Sequence, residues 1–198
     1  MRAIILAMAV LAAACGQSAA QGGKSAEAAP VGTAATAAEL SPSSALVDAI
    51  LAAVPAAPGA IDPTSIQARV TQVTWRARPE GTLAAQGMLG NVEAQVMRTP
   101  PSFALMWNAT GEPVPYDVPA ELRARGATVT MIGCMPLGTG ENDAHYAVVA
   151  QGHAPFALNI YTREAPTANA NSSYNVTVNL TGRMPTRASL GTDYAATC

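Results

Sequence analysis

Tyr174-Asn175-Val176-Thr177-Val178-Asn179-Leu180-Thr181 alternates apolar and polar side chains without a break. Successive side chains on a strand point to opposite faces. The segment therefore offers Tyr174, Val176, Val178 and Leu180 to a core, and Asn175, Thr177, Asn179 and Thr181 to the other side. One dry face and one wet face is the mark of an antiparallel sheet, because parallel sheets are covered on both sides. Working back along the chain, Phe156–Arg163, Ala144–Ala150 and Thr128–Cys134 read as three more strands. Gly138, Gly140, Gly152, Pro155 and Pro166 fall in the connections, as a meander requires.

Further upstream, Ser102–Trp107 and Val92–Arg98 are strand candidates separated by a Thr99-Pro100-Pro101 turn, since proline cannot donate to a ladder. Val70, Val73, Trp75 and Ala77 set amid Thr and Arg predict another strand. Helical spacing is confined to shorter stretches. Ser41-Pro42 places a capping residue before a proline at the first helical position. Leu46, Val47, Ile50, Leu51 and Val54 then form one apolar stripe, with Ser43, Ser44 and Asp48 on the opposite side. Pro55 and Pro58-Gly59 end it. Asp62-Pro63 can open a short turn of helix before Arg69, and Pro119–Arg125 predicts two turns stopped by Gly126. Two arginines at the end of that segment suit the helix dipole.

These patterns predict one α+β domain over residues 41–198. It is an antiparallel meander with the Ser41–Val54 helix and the short Pro119–Arg125 helix packed on one face; a β-sandwich with peripheral helices is the alternative. Arg183–Cys198 has no periodicity and is expected to run over the surface. Pro101-Ser102-Phe103-Ala104-Leu105 is echoed by Ala154-Pro155-Phe156-Ala157-Leu158, which either an internal duplication or an alanine-rich composition would produce.

With only two Phe and two Trp, the core must be assembled from Val, Leu, Ile, Met and Ala around a few aromatic anchors. Formal net charge is −2, and Lys24 is the single lysine, so the basic footprint of a nucleic-acid binder is missing.

The start of the chain has a different character. Arg2 precedes an unbroken apolar run from Ile4 to Ala14, which is too short to span a bilayer and reads as a secretory signal. Ala12-Ala13-Ala14-Cys15-Gly16 resembles the lipobox of bacterial lipoproteins, with Ala12 where that family usually has leucine. The resemblance implies removal of residues 1–14, a lipid on Cys15, and a periplasm-facing protein anchored in the cell envelope. Gly16 is not the aspartate associated with inner-membrane retention, which favours the outer membrane. Residues 15–40, rich in Ala, Gly, Ser, Gln and Thr, then serve as a flexible tether. Cleavage after Ser18-Ala19-Ala20 is the alternative and would release a soluble periplasmic or secreted protein. With Cys15 lipidated, Cys134 and Cys198 remain as an even pair in an oxidising compartment, and a disulfide between them is expected.

A search for catalytic patterns finds no paired-His zinc motif, Gly-x-Ser-x-Gly elbow, Ser-x-x-Lys or Cys-x-x-Cys. Gly23-Lys24-Ser25 lacks the earlier glycine and preceding strand of a phosphate loop. Gly138-Thr139-Gly140-Glu141-Asn142-Asp143 is read as a hairpin turn in preference to a calcium loop. His145 and His153, with Glu141 or Asp143, are the one combination that a metal site or a small periplasmic enzyme would draw on. The row Asn175, Thr177, Asn179 and Thr181 can hydrogen-bond a glycan or another strand, or it is the solvated face of an edge strand. The function expected is a tethered, non-enzymatic binding or assembly module with an envelope protein or glycan as partner. No cofactor is expected.

Overall fold

The computed structural model describes residues 40–59 and 62–198. Cys15, the tether and the Gly23-Lys24-Ser25 segment lie outside the described residues. The domain is mixed α+β. Helices α1 (Pro42–Ala53) and α2 (Pro63–Arg69) lead into strands β1 (Arg76–Ala77), β2 (Leu83–Leu89), β3 (Val92–Met97) and β4 (Ser102–Thr110). Helix α3 (Val118–Ala124) follows, then β5 (Thr128–Gly138), β6 (Glu141–Val149), β7 (Phe156–Arg163), β8 (Asn171–Asn179) and a single helical turn, α4 (Arg187–Leu190). All eight strands lie in one open antiparallel sheet of order β1-β2-β3-β4-β8-β7-β6-β5, so the strands do not divide into the two sheets of a sandwich.

The order describes two four-stranded meanders, each preceded by helix, that meet along β4 and β8. Strand β8 therefore sits at the centre of the sheet and is not the edge strand its polar row suggested. The two echoing Phe-Ala-Leu segments lie in β4 and β7, the fourth strand of one meander and the third of the other. They are out of phase with the repeated architecture, so the echo does not report it.

The core lies where the inward residues of β8 predict. Val176 and Val178 are fully buried, with Tyr174 and Leu180 nearly so, in one cluster with Val47 and Ile50 of α1, Ile66 of α2 and Leu122 of α3. Trp107 and Phe103 of β4 are the largest side chains fully enclosed there. Methionine departs from expectation. None is buried among the described residues, and Met88 on β2 is 53 % exposed. The core is filled by Val, Ile, Leu and Ala around the aromatic anchors, without the flexible thioether.

Two local expectations are corrected by tertiary contacts. Ser43 and Ser44 belong to the buried surface of α1, because that side faces α3. There the Asp117 amide donates to Ser43 Oγ at 2.7 Å, and Arg125 binds the Ser44 carbonyl at 3.0 Å together with Asp48. Arg125 thus ties α3 to α1, beyond any effect on its own helix dipole. Ser41 precedes α1, but its hydroxyl donates to Glu121 of α3 at 2.5 Å and makes no cap. Asp62, in contrast, caps α2 as expected by accepting from the Thr64 amide.

The strand expected from Val70 shrinks to Arg76–Ala77. Val70 and Val73 are buried from an irregular loop, closed by the Trp75 indole N–H on the Val70 carbonyl at 3.0 Å. That loop crosses β2 so closely that a Cβ on Gly87 would lie 2.6 Å from the Thr74 carbonyl oxygen. Strand β2 itself has no sequence signal. Leu-Ala-Ala-Gln-Gly-Met-Leu is helix-forming apart from its glycine, and only pairing with β3 and β1 makes it a strand.

Candidate functional site: a polar sheet face under a C-terminal strap

The outward residues of β8 fall into register with polar residues on the neighbouring strands. Thr177 is paired with Asn159 of β7, and Asn159 with His145 of β6. One step along, Asn175 pairs with Tyr161, and Tyr161 with Asp143. Period-two alternation in three adjacent strands thus paves one face with hydrogen-bonding groups. Asn175, Thr177 and Asn179 are half-buried and Thr181 is exposed. The Asn175 Oδ1 atom is buried without a hydrogen-bond partner. Asn179 Oδ1 accepts from the amide and hydroxyl of Thr181 at 2.9 and 2.7 Å, which leaves the Asn179 Nδ2 donor uncommitted by that turn.

The C-terminal segment folds back as a strap and shares a cleft with Thr177 and Asn179. Its last part is bound to the β5 edge. Cys134 and Cys198 form a disulfide with Cα atoms 5.2 Å apart, and Cys134 and Ala195 exchange backbone hydrogen bonds of 2.8 and 2.6 Å. Gly133, the β5 residue beside His145, lies directly beneath the strap. A Cβ there would lie 2.9 Å from both Arg187 Nη1 and Leu190 Cδ1, and 3.1 Å from Tyr194 Cβ. The strap rests on bare backbone.

Under the strap lies a compact polar cluster. The Tyr194 hydroxyl donates to Asp143 Oδ2 at 2.5 Å and sits 3.4 Å from His145 Nε2. The Asn159 amide donates to Asp143 Oδ1 and lies 3.1 Å from His145 Nε2. Hydrogen bonding to Asp143, reinforced by burial and by the carboxylate charge, pushes the Tyr194 pKa up to about 12. The phenol holds its proton at neutral pH, as an ordinary tyrosine does, and donates it in the hydrogen bond to Asp143. The raised value means the Tyr194–Asp143 bond supports the strap fully below the ordinary tyrosine pKa of about 10 and is lost as pH rises through about 12. Asp143→Asn should return the Tyr194 titration toward the ordinary value, read as a downward move of its ultraviolet ionisation curve. An unmoved curve would show that Asp143 does not hold the phenol.

Next to this cluster the strap and the sheet enclose a cleft of about 400 Å³. Its floor is Ser102, His145, Ala157, Asn159, Thr177 and Asn179, and its outer wall is Met184, Pro185, Ser189 and Leu190 with Arg183 at the rim. Such a size and mixture of polar floor and apolar wall falls within the range of small-molecule sites.

Of the residues singled out in the sequence, Asn175, Thr177 and Asn179 come together on this face, and His145 and Asp143 join them. His153 does not. It lies in the turn after β6, its Nδ1 is 3.3 Å from the Val54 carbonyl at the end of α1, and several residues of strand, roughly 3.3 Å each, separate it from His145. No group of three or more His, Cys, Asp or Glu side chains suited to a metal ion occurs among the described residues. Glu141 is engaged with Arg163 across the β6–β7 pair. Tyr194 and Asn159 escaped sequence reasoning, Tyr194 because its segment carries no periodicity and Asn159 because its role depends on which strand lies alongside. No protein-family model, curated protein or solved structure matches this chain.

Proposed function

We propose that this protein is a lipid-anchored, periplasm-facing envelope lipoprotein whose folded domain is a non-enzymatic binding or assembly module, with a glycan or another envelope protein as its partner. In this reading the lipid is carried by Cys15, in the outer membrane, and residues 15–40 hold the domain clear of the bilayer. The scaffold is the sheet of two joined meanders with α1 and α3 on one face, leaving the other face to the ligand. The observation that carries the binding role is the cleft between that second face and the strap, floored by Asn159, Thr177 and Asn179 on central strands. Side chains on the middle of a sheet are held more rigidly than side chains on loops, which favours recognition over accommodation.

Cys15→Ser should move the protein from the membrane fraction to the soluble fraction. Persistence in the membrane pellet after a high-salt wash would rule out the lipid anchor. For the binding role, the lipidated protein carrying Asn175→Ala and Asn179→Ala should lose partner capture from membranes while melting within a few degrees of the parent. The Asn175 change removes an already unpartnered buried oxygen, and the bonds lost at Asn179 are exposed. Unchanged capture would overturn the assignment of this face.

A second reading rests on the Asp143–His145–Asn159–Tyr194 cluster, which has the residue types of a small periplasmic enzyme or metal-binding protein. Metal analysis of the purified protein and a His145→Ala, His153→Ala variant separate the two. Bound metal, or a turnover lost with the histidines, favours the second reading.

A further inference from the structure

We infer that the cleft under the strap takes an uncharged, hydroxyl-rich ligand of the saccharide class, an inference that rests on the binding-module reading of the same face. The face already holds a hydroxyl, one belonging to the chain itself. The Tyr194 O–H donates to Asp143 at 2.5 Å beside His145 and Asn159. The cleft continues the same row toward the centre of the sheet, from Asn159 to Thr177 and on to Asn179 and Ser102.

The chemistry of that row is mixed in the way a sugar hydroxyl needs, because each hydroxyl both donates and accepts. The Asn159 amide nitrogen is turned to Asp143 and His145, which leaves its Oδ1 as an acceptor. Asn179 is arranged the opposite way, with Oδ1 taken by Thr181 and Nδ2 left to donate. Ser102 and Thr177 add hydroxyls able to do either. Facing them, Met184, Pro185 and Leu190 give an apolar wall suited to the C–H face of a ring. A cleft near 400 Å³ is toward the small end of ligand sites, so it fits a short saccharide and no long chain.

Charge argues in the same direction. Apart from His145, Arg183 is the one ionisable residue of the lining, and it is exposed at the rim. His145 is already engaged with Asp143, Asn159 and Tyr194, so an ionised ligand group in the cleft would give up hydration with no uncommitted buried partner. Pairing with an exposed arginine returns little of that loss.

The test is titration of the full folded chain, followed by amide NMR, with methyl glucoside and N,N′-diacetylchitobiose as neutral probes and glucuronate and glucosamine as charged counterparts. A neutral probe should shift the amides of Asn159, Thr177 and Asn179, and the charged counterparts should bind about tenfold more weakly or worse. Thr177→Val keeps the side-chain shape and should cost about tenfold in affinity at unchanged melting temperature. Ser102→Ala serves the same purpose if the first variant does not fold. The inference is overturned if neither neutral probe shifts those amides, if charged and neutral probes bind alike, or if both variants bind as the parent does. Should the sugars fail while Asn175→Ala, Asn179→Ala still abolishes partner capture, only the saccharide class is wrong. Should both fail, the binding-module reading falls with it.

Discussion

Trp107→Ala is expected to lower the unfolding free energy by about 3–5 kcal/mol, the usual cost of truncating an enclosed aromatic side chain. Trp107 is 2 % exposed on β4, one of the two strands where the meanders meet, and its cross-strand neighbour is Tyr174 of β8. Its ring stands edge-on to Tyr116 at 5.6 Å, and Tyr116 lies 5.7 Å from Tyr174. Tyr174 in turn accepts a hydrogen bond from the Val118 amide at 3.0 Å, at the start of α3. Removing the indole therefore leaves a cavity under the aromatic group that seats α3 on the sheet. Against a typical total of about 5–15 kcal/mol, such a loss is a large fraction of the stability. Chemical denaturation should show a clearly lower midpoint, and a loss below about 1 kcal/mol would mean that the site collapses and refills.

The second large effect is expected from the Cys134→Ala, Cys198→Ala variant. The bond joins residues 64 apart in the sequence, and in the chain-entropy model closing a loop of that size stabilises the fold by about 4 kcal/mol. The loss should not be spread evenly. With the disulfide gone, the strap is held by the Cys134–Ala195 backbone pair, the Tyr194–Asp143 bond and the packing of Leu190 on Gly133. Hydrogen exchange should accelerate first in residues 187–198 and only later in β4 and β8. Exchange that rises uniformly across the domain would show that the strap and the sheet unfold together. Equal stability of the variant and the parent would show that the bond constrains nothing.

Elements with a strong local period are legible in the chain itself. The Tyr174–Thr181 alternation points to the core, and Phe156–Arg163 matches β7 at both ends. The Ser41–Val54 and Pro119–Arg125 helices are present within a residue or two of their expected bounds. The Cys134–Cys198 pair follows from counting thiols once Cys15 is set aside. For the periodic elements the deciding information is held in side chains near one another along the chain, whereas the disulfide expectation rests on assigning Cys15 to the lipid.

What lies beyond local patterning is settled by neighbours distant in sequence. Strand β2 is extended because β3 offers it a ladder, and its own composition favours helix. Val70–Thr74 is coil because burying Val70 and Val73 against the core outweighs the residues' preference for strand. Ser43 and Ser44 are buried because α3 lies against them, a fact that no helical wheel of α1 contains. The candidate site depends most on the assembled fold. The sequence by itself determined that residues 175, 177 and 179 share a face and that a polar row faces away from the core. Only the tertiary structure placed that row at the centre of the sheet, set Asn159 and His145 beside it, and laid the strap across Gly133. The physical reason is that alternation specifies which way a side chain points, whereas strand order and the path of an unpatterned tail are decided by contacts made across the whole sheet.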